Sequence, residues 1–347
     1  LTEVEKKAGI KIQSAYVGVT GAHVSYENRW DSVGWAGERG VITSDDLMRV
    51  PGVVANSITK SGRKVLHAIP MAYSLDGKRG IRNPVGMHTS NLKVESHVVT
   101  GAPSAVAKLV EAVRGAGIEV EALVLEPLAS SEAVLTPEEK QRGAVVADIG
   151  GGTTDVVAFR HGSIYYTSVV PVGGYQFTND LAVSFDIPHK EAEEVKLKYG
   201  SAAQDARTAT EEVEINPRGM DEPLLINRRE IGQLMNDRGM EMLRLLMKKI
   251  NEPHVTELDI TRMVLTGGGV KLDGFASLAR YVFQHEVRVA SPRGAEGLPE
   301  VNQDPQFAAS VGILLWGMRN LPRESHISSK SHIAVSSGPL AGSGLRS

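Results

Sequence analysis

Residues 143–170 read GAVVADIGGGTTDVVAFRHGSIYYTSVV, and the reading of this stretch decides the fold. An apolar run ends on Asp148 and Ile149, crosses Gly150, Gly151 and Gly152, and continues through Thr153, Thr154 and Asp155 into two further stretches rich in Val, Ile, Tyr and Thr. Runs of this kind, punctuated by glycine, predict strands of a buried sheet. An acidic side chain at the end of such a strand, followed by glycines and hydroxyls, has a physical use. Glycine lets backbone N–H groups close on phosphate oxygens, and a carboxylate at the strand end can hold a magnesium ion through its waters. Thr153 and Thr154 could add donors. A plain hairpin with a glycine turn and a helpful Asp accounts for the same residues.

Downstream, the short apolar strand from Arg262 to Leu265 runs into a second cluster, Gly267, Gly268 and Gly269, followed by a helix from Phe275 to Phe283. Its backbone could lie flat against a base or ribose. Between the two clusters, from Pro188 to Ile260, the composition turns polar: a helix from Pro188 to Tyr199, an irregular acidic stretch, and a long helix opened by Asn227 with Glu230 three residues on. Two strand-to-glycine elements separated by a polar insertion describe two lobes closing on a nucleotide.

Upstream, Ile12 to Val24 and Lys64 to Tyr73 are strand-like, with a helix opened by Thr43 or Ser44 between them, which predicts a small α+β unit ending near Met87. The turn formers of YSLDGKRGIRNPVGM, Tyr73 to Met87, make that stretch a linker or hairpin. A strand over Lys93–Thr100, a helix over Ser104–Arg114 and a strand over Val120–Leu125 then follow βαβ grammar. The expected class is α/β with α+β subdomains.

Of 347 residues, 41% are hydrophobic and 23% charged, enough to bury several cores. The 38 basic and 41 acidic residues give a net charge of −3, which carries no footprint of a nucleic-acid binder. The absence of cysteine excludes a disulfide scaffold, a thiolate metal site and a cysteine nucleophile. No segment approaches the ~20 apolar residues of a membrane span. The opening LTEVEKKAG reads as the second half of an amphipathic helix, so a preceding piece is expected; the Ser- and Gly-rich stretch after Leu321 is expected to be disordered.

In order, DIGGGTTD, then VPVGG (Val170–Gly174), then EAEEVKLKYG (Glu191–Gly200), then VLTGGG resemble the phosphate and adenosine motifs of the actin, MreB and DnaK superfamily. Within it, YSLDGKRGIRNPVGM, LVLEPLASSEAVLT (Leu123–Thr136) and VVPVGGYQFTNDLA (Val169–Ala182) resemble the FtsA family of bacterial cell-division proteins. The resemblance covers Leu1 to about Leu321 and implies an actin-like two-lobed ATPase fold. Residues 1–87 would be a small SHS2-like subdomain for protomer contacts, 88–142 the rest of the first lobe, and 143–180 with 261–321 the second lobe. Residues 181–260 would be an inserted subdomain and 322–347 a tail.

The resemblance implies ATP and Mg2+ as ligands. It makes Asp148 the magnesium-side carboxylate, Gly150, Gly151, Gly152, Thr153 and Thr154 the second phosphate loop, and Gly173 and Gly174 neighbours of the nucleotide in the same lobe. Glu193 and Lys196, three apart on one helix face, would grip the adenosine together with Gly267, Gly268 and Gly269; apart from the resemblance, a solvated salt bridge is the plainer reading of the pair. Glu126 matches a position where relatives carry a glutamate near the attacking water, and a helix-start carboxylate is the alternative. Arg228 and Arg238 would meet the acidic carboxyl-terminal tail of FtsZ, unless they are scattered charges of a solvated face.

Two family features are not found in these residues: the superfamily's first phosphate loop and a carboxyl-terminal amphipathic helix, since Ser328–Ser347 lacks any aromatic residue. The resemblance thus implies a polymerising adaptor that binds FtsZ, copies of itself and later division proteins, with at most a weak ATPase. Its expected place is the cytoplasmic face of the inner membrane at the division site, membrane contact being implied by kinship alone. A pilus-assembly actin homologue like PilM is the nearest other reading, followed by an actin-fold ATPase or kinase of another class, for which no second catalytic constellation is found.

Overall fold

The computed structural model describes residues 1–33, 40–58, 62–203, 205, 210–220, 222–251, 262–294, 297 and 299–320. The expected tail, 322–347, lies outside them, as does the end of the expected insertion.

The quoted stretch forms three consecutive antiparallel strands, β7 (Ala144–Ile149), β8 (Thr154–Arg160) and β9 (Ser163–Val170). Two parallel strands, β12 (Arg262–Thr266) and β13 (Glu286–Val289), extend them into a five-stranded sheet of order β13-β12-β7-β8-β9. Both faces of this sheet are covered, which is why β7 reads as a continuous apolar run rather than an alternation. Val145, Ala147 and Ile149 enter one core, while Ala144 and Val146 enter another; Val156 and Ala158 part from Val157 and Phe159 in the same way.

On the first face lie helices α6 (Gly174–Ser184), α7 (His189–Tyr199), α8 (Arg228–Ile250) and α9 (Phe275–Phe283). The expected polar insertion is therefore not a separate body. Ile231, Met235, Met242 and Leu246 of α8 are buried in the same core as the sheet, and the acidic stretch forms a short antiparallel pair, β10 (Glu212–Ile215) with β11 (Leu224–Asn227), whose Val213, Ile215 and Ile226 join that core too. Asn227 caps α8 by accepting the N–H of Arg229.

On the second face, α4 (Glu126–Val134) packs against α10 (Ala308–Asn320). They cross so closely that a Cβ on Gly312 would fall 1.8 Å from the carbonyl oxygen of Ala129. Beside them, β1 (Ser14–Val19) and β6 (Glu119–Leu125) form a parallel pair.

The small α+β unit consists of β2 (Ser25–Ser32), β3 (Lys64–Leu75), β4 (Lys78–Ile81) and β5 (Leu92–Gly101) in the order β2-β5-β3-β4, backed by α2 (Ser44–Ile58). Thr43 and Asp46 bond reciprocally at the start of α2, and Asp76-Gly77 turn β3 into β4. Here two expectations are corrected. The strand expected over Lys93–Thr100 is not the first strand of a βαβ unit but lies inside this sheet, paired with both β2 and β3, so the unit runs past Met87 to Gly101. The strand over Val120–Leu125 pairs with β1 instead. β5 is buried along most of its length, which is compatible with either sheet, and the long-range pairing decides.

Candidate functional site

Asp148 sits at the end of β7, opposite Thr266 of the parallel neighbour β12 and opposite Asp155 of β8. The two glycine clusters therefore leave the carboxyl ends of adjacent parallel strands, where α/β sheets bind their ligands. They belong to one sheet, so the two facing lobes suggested by the glycine pattern alone are not what these clusters form; the resemblance assigns residues 143–180 and 261–321 to the same unit. They also touch. A Cβ on Gly267, whose φ is +88°, would fall 2.3 Å from Asp148 Oδ1, and one on Gly269 would fall 2.4 Å from Ile149 Cγ2, so only glycine permits this approach. Gly268 begins a 3-10 turn beside Gln306.

The start of α6 closes the other side of the first loop. The N–H groups of Gly174 and Tyr175 donate to the carbonyls of Gly150 and Gly151 at 2.9 and 2.6 Å, and a Cβ on Gly173 would collide with those two carbonyls. Gly151 and Gly152 face open space. Thr153 accepts the Gly150 N–H through its carbonyl, and the Thr154 hydroxyl donates to the Val172 carbonyl, so Thr154 is a buried brace instead of a free donor.

Three carboxylates converge from both sides of this edge. Burial first, and then repulsion from Glu126, push Asp148 up to about 6 against the help of the Ser130 hydroxyl. Burial raises Asp155 to about 7, opposed by the Thr20 hydroxyl that donates to it and reinforced by Asp148 and Glu126. Burial also raises Glu126, whose Oε1 lies 2.8 Å from where a Cβ on Gly18 of β1 would sit. Asp155, Thr20 and Ser130 were not singled out as site residues. Asp155 closed the quoted motif and was the one with a sequence signal; Thr20 and Ser130 arrive through tertiary contact.

Glu193 and Lys196, on α7, pair at 2.8 Å beside the start of α6. The ammonium also donates to Thr178 Oγ1 at 2.9 Å and to the Gly174 carbonyl at 3.4 Å. Burial works against the Glu193 charge, but Lys196 and the Thr178 hydroxyl outweigh it and hold Glu193 below the usual carboxylate range. This pair is thus tied into the same edge as the glycine loops. Arg228 and Arg238 lie away from it. Arg228 donates to Glu211 at 2.7 Å and to the Tyr199 carbonyl; Arg238 grips Asp180 of α6 with two bonds, 2.6 and 2.8 Å, and reaches Glu241 at 2.6 Å.

A family model described as "Cell division protein FtsA" matches residues 145–312, and one described as "SHS2 domain inserted in FTSA" matches residues 21–100. The cell division protein FtsA of Pseudomonas aeruginosa is 33% identical over 319 residues, 92% of this chain and 76% of its own length. The chain belongs to the FtsA family. The FtsA of Escherichia coli K12 is 31% identical over 340 residues, 96% of this chain and 79% of that protein. Family membership assigns the chain to cell division and makes its small unit the inserted SHS2 domain of FtsA, covering β2 to β5. A solved PilM-PilN type IV pilus biogenesis complex covers 91% of this chain and 84% of the matched chain, with a TM-score of 0.59 at 20% identity, and shows the actin-like fold. Among the described residues no helix is long and apolar enough to cross a membrane.

The residues at the edge suit a magnesium nucleotide. Gly151 and Gly152 leave open space, and Asp148 and Asp155, whose pKa values burial and mutual repulsion raise, are carboxylates whose charged forms a bound cation would favour. Among the described residues no three His, Asp or Glu side chains are set to bind a metal directly. Magnesium does not need such a cage: it keeps several waters and takes one or two carboxylates plus phosphate oxygens.

Proposed function

We propose that this FtsA-family chain is a nucleotide-responsive adaptor of the division machinery. It takes ATP with magnesium at the glycine edge, receives the acidic carboxyl-terminal tail of FtsZ at α8, and assembles with copies of itself and with other division proteins at the cytoplasmic face of the inner membrane. The observation that carries the reading is the meeting of both glycine clusters and three carboxylates at the carboxyl ends of β7 and β12, in a chain whose relatives are cell-division proteins.

In this reading Gly150, Gly151, Gly152 and Thr153 receive the phosphates, with Thr154 bracing the loop and Gly173 and Gly174 closing it. Gly267, Gly268, Gly269, Glu193 and Lys196 hold the nucleoside side. Asp148 is the magnesium-side carboxylate, and bound magnesium would supply charge neutralisation at the phosphates. Glu126, at the start of α4 and close to Gly18 of β1, would orient a water. Burial raises its pKa, the direction that brings a carboxylate toward the range of a water-activating base; in this reading the nucleotide serves as a switch, with at most slow hydrolysis. Arg228 and Arg238 are the partner-facing arginines, the latter with the planar fork that suits a carboxylate.

The test is titration of the chain with a labelled peptide copying the FtsZ tail, with and without ATP and magnesium. Saturable binding that weakens at least tenfold in Arg238→Ala is expected; no binding in either condition would overturn the adaptor reading.

A further inference from the structure

The helix α6 physically joins the glycine loop to Arg238. Its first two N–H groups are held by the Gly150 and Gly151 carbonyls, its middle by the bonds linking Thr178, Glu193 and Lys196, and its second half carries Asp180, which takes two donors of the Arg238 guanidinium. Phe177 and Leu181 are buried against the sheet and α8, so the 11-residue helix, about 16 Å long, moves as a unit or not at all.

Each end of this rod holds something a ligand would want. An anion drawn to the loop competes for the Gly174 and Tyr175 N–H groups, the positive end of the helix. A carboxylate arriving at Arg238 competes with Asp180, because both seek the same two-donor fork. Along α8 runs an open cavity of about 640 Å3 lined by the apolar Met240 and Leu245, the basic Arg244 and Lys248, and the acidic Asp237 and Glu241. Glu241, the second partner of Arg238, is on its rim.

We propose that Asp180 is an internal competitor that latches Arg238 to α6, and that phosphate binding at Gly150–Gly152 shifts α6 and frees Arg238 for an acidic peptide. The latch rests on the reading of Arg238 as that peptide's receptor. It makes the occupied glycine loop raise affinity at α8, and by linkage makes the peptide raise affinity for the nucleotide by the same factor.

The experiment uses the full chain and the labelled FtsZ-tail peptide, with and without ATP and magnesium, on the unmodified protein, D180N and R238A. Removing the competing carboxylate should tighten nucleotide-free binding roughly three- to tenfold, as expected for release of a partly exposed two-bond ion pair. D180N without nucleotide should equal the unmodified chain with it and respond to nucleotide no further. D180N with unchanged affinity, or an unmodified chain whose peptide affinity ignores ATP and magnesium, overturns the latch while loss of binding in R238A preserves the receptor reading. Unchanged binding in R238A overturns the receptor reading and the latch with it. If D180N fails to fold, D180S, which also removes the charge, is judged by the same outcomes.

Discussion

Two regions bury titratable side chains, and they respond to pH in opposite directions. Where the small domain meets its neighbours, His67 of β3 and His97 of β5 are fully buried. His97 donates from Nδ1 to the Asn28 carbonyl oxygen at 2.7 Å and accepts the Thr167 hydroxyl at Nε2 at 2.8 Å; the orientation of Asn28 follows from its amide nitrogen donating to the Tyr165 carbonyl. His67 accepts the Leu125 N–H at Nε2, so its proton sits on Nδ1. At the glycine edge, Glu126, Asp148 and Asp155 gather like charges with few donors to offset them. The seam uses neutral imidazoles as fixed connectors. The edge retains carboxylates at a cost to stability, which is the pattern of a site kept for a ligand instead of for the fold.

The largest expected effect breaks the seam. Burial lowers His67 to about 4 and, with His67 adding repulsion, lowers His97 to about 3. The folded state resists protons that the unfolded chain accepts near 6.5, so this stability is complete above pH 6.5 and lost as pH falls toward 4 and below. The full loss is on the order of 3–5 kcal/mol for each histidine, of which about 2 kcal/mol each is already lost at pH 5. Urea unfolding at pH 7.5 and pH 5 should show it, and His97→Gln should flatten the slope; an equal slope in that variant would mean that another group carries the acid transition.

The edge should behave in the reverse sense. Asp155 and Asp148 have folded pKa values above the unfolded 3.8, so their folded forms hold protons more tightly, and stability falls as pH rises through the window up to about 7 and about 6. Asp155→Asn should therefore stabilise the ligand-free chain at pH 8 by up to about 4 kcal/mol, less what the lost Thr20 bond costs, with the gain vanishing near pH 4. Thermal melts at the two pH values decide it. Asp148→Asn should give a smaller gain, on the order of 3 kcal/mol at most, and should also abolish any rise in Tm on adding ATP and magnesium. A rise that survives in this variant would remove Asp148 from the magnesium side.

The smallest effect sharpens the contrast. The Thr20 hydroxyl stabilises the charged form of Asp155 across the boundary between β1 and the five-stranded sheet. Thr20→Val should cost about 1 kcal/mol at pH 8 and nearly nothing at pH 4, where Asp155 is protonated. An equal cost at both would make Thr20 a packing residue.

Much of this was legible. The strand ending on Asp148, the spacing of Glu193 and Lys196, and the helix over Phe275–Phe283 are local patterns, and each stands where it was expected. Less legible were the boundary at Gly101, the partners of β6, and the carboxylate cluster, because a strand's alternation names its faces and not its neighbour. Glu126 and Thr20 meet the edge of the five-stranded sheet only because β1 and β6 run parallel and end together, with Val19 opposite Leu125. Arg238 and Asp180, 58 residues apart, become an ion pair only when α6 and α8 pack on one face of the sheet.

By itself the sequence determined the elements and the chemistry at their ends: glycine where backbones must approach, an acidic strand end, helices with their caps. Those properties follow from local sterics, periodicity and hydrogen-bonding capacity, which act within a few residues of chain. Only the tertiary structure decided which strands pair, that both glycine clusters share one edge, that two histidines stay neutral and three carboxylates resist ionisation. The reason is that burial and charge repulsion depend on what the rest of the chain brings within a few ångströms, and that is set by packing.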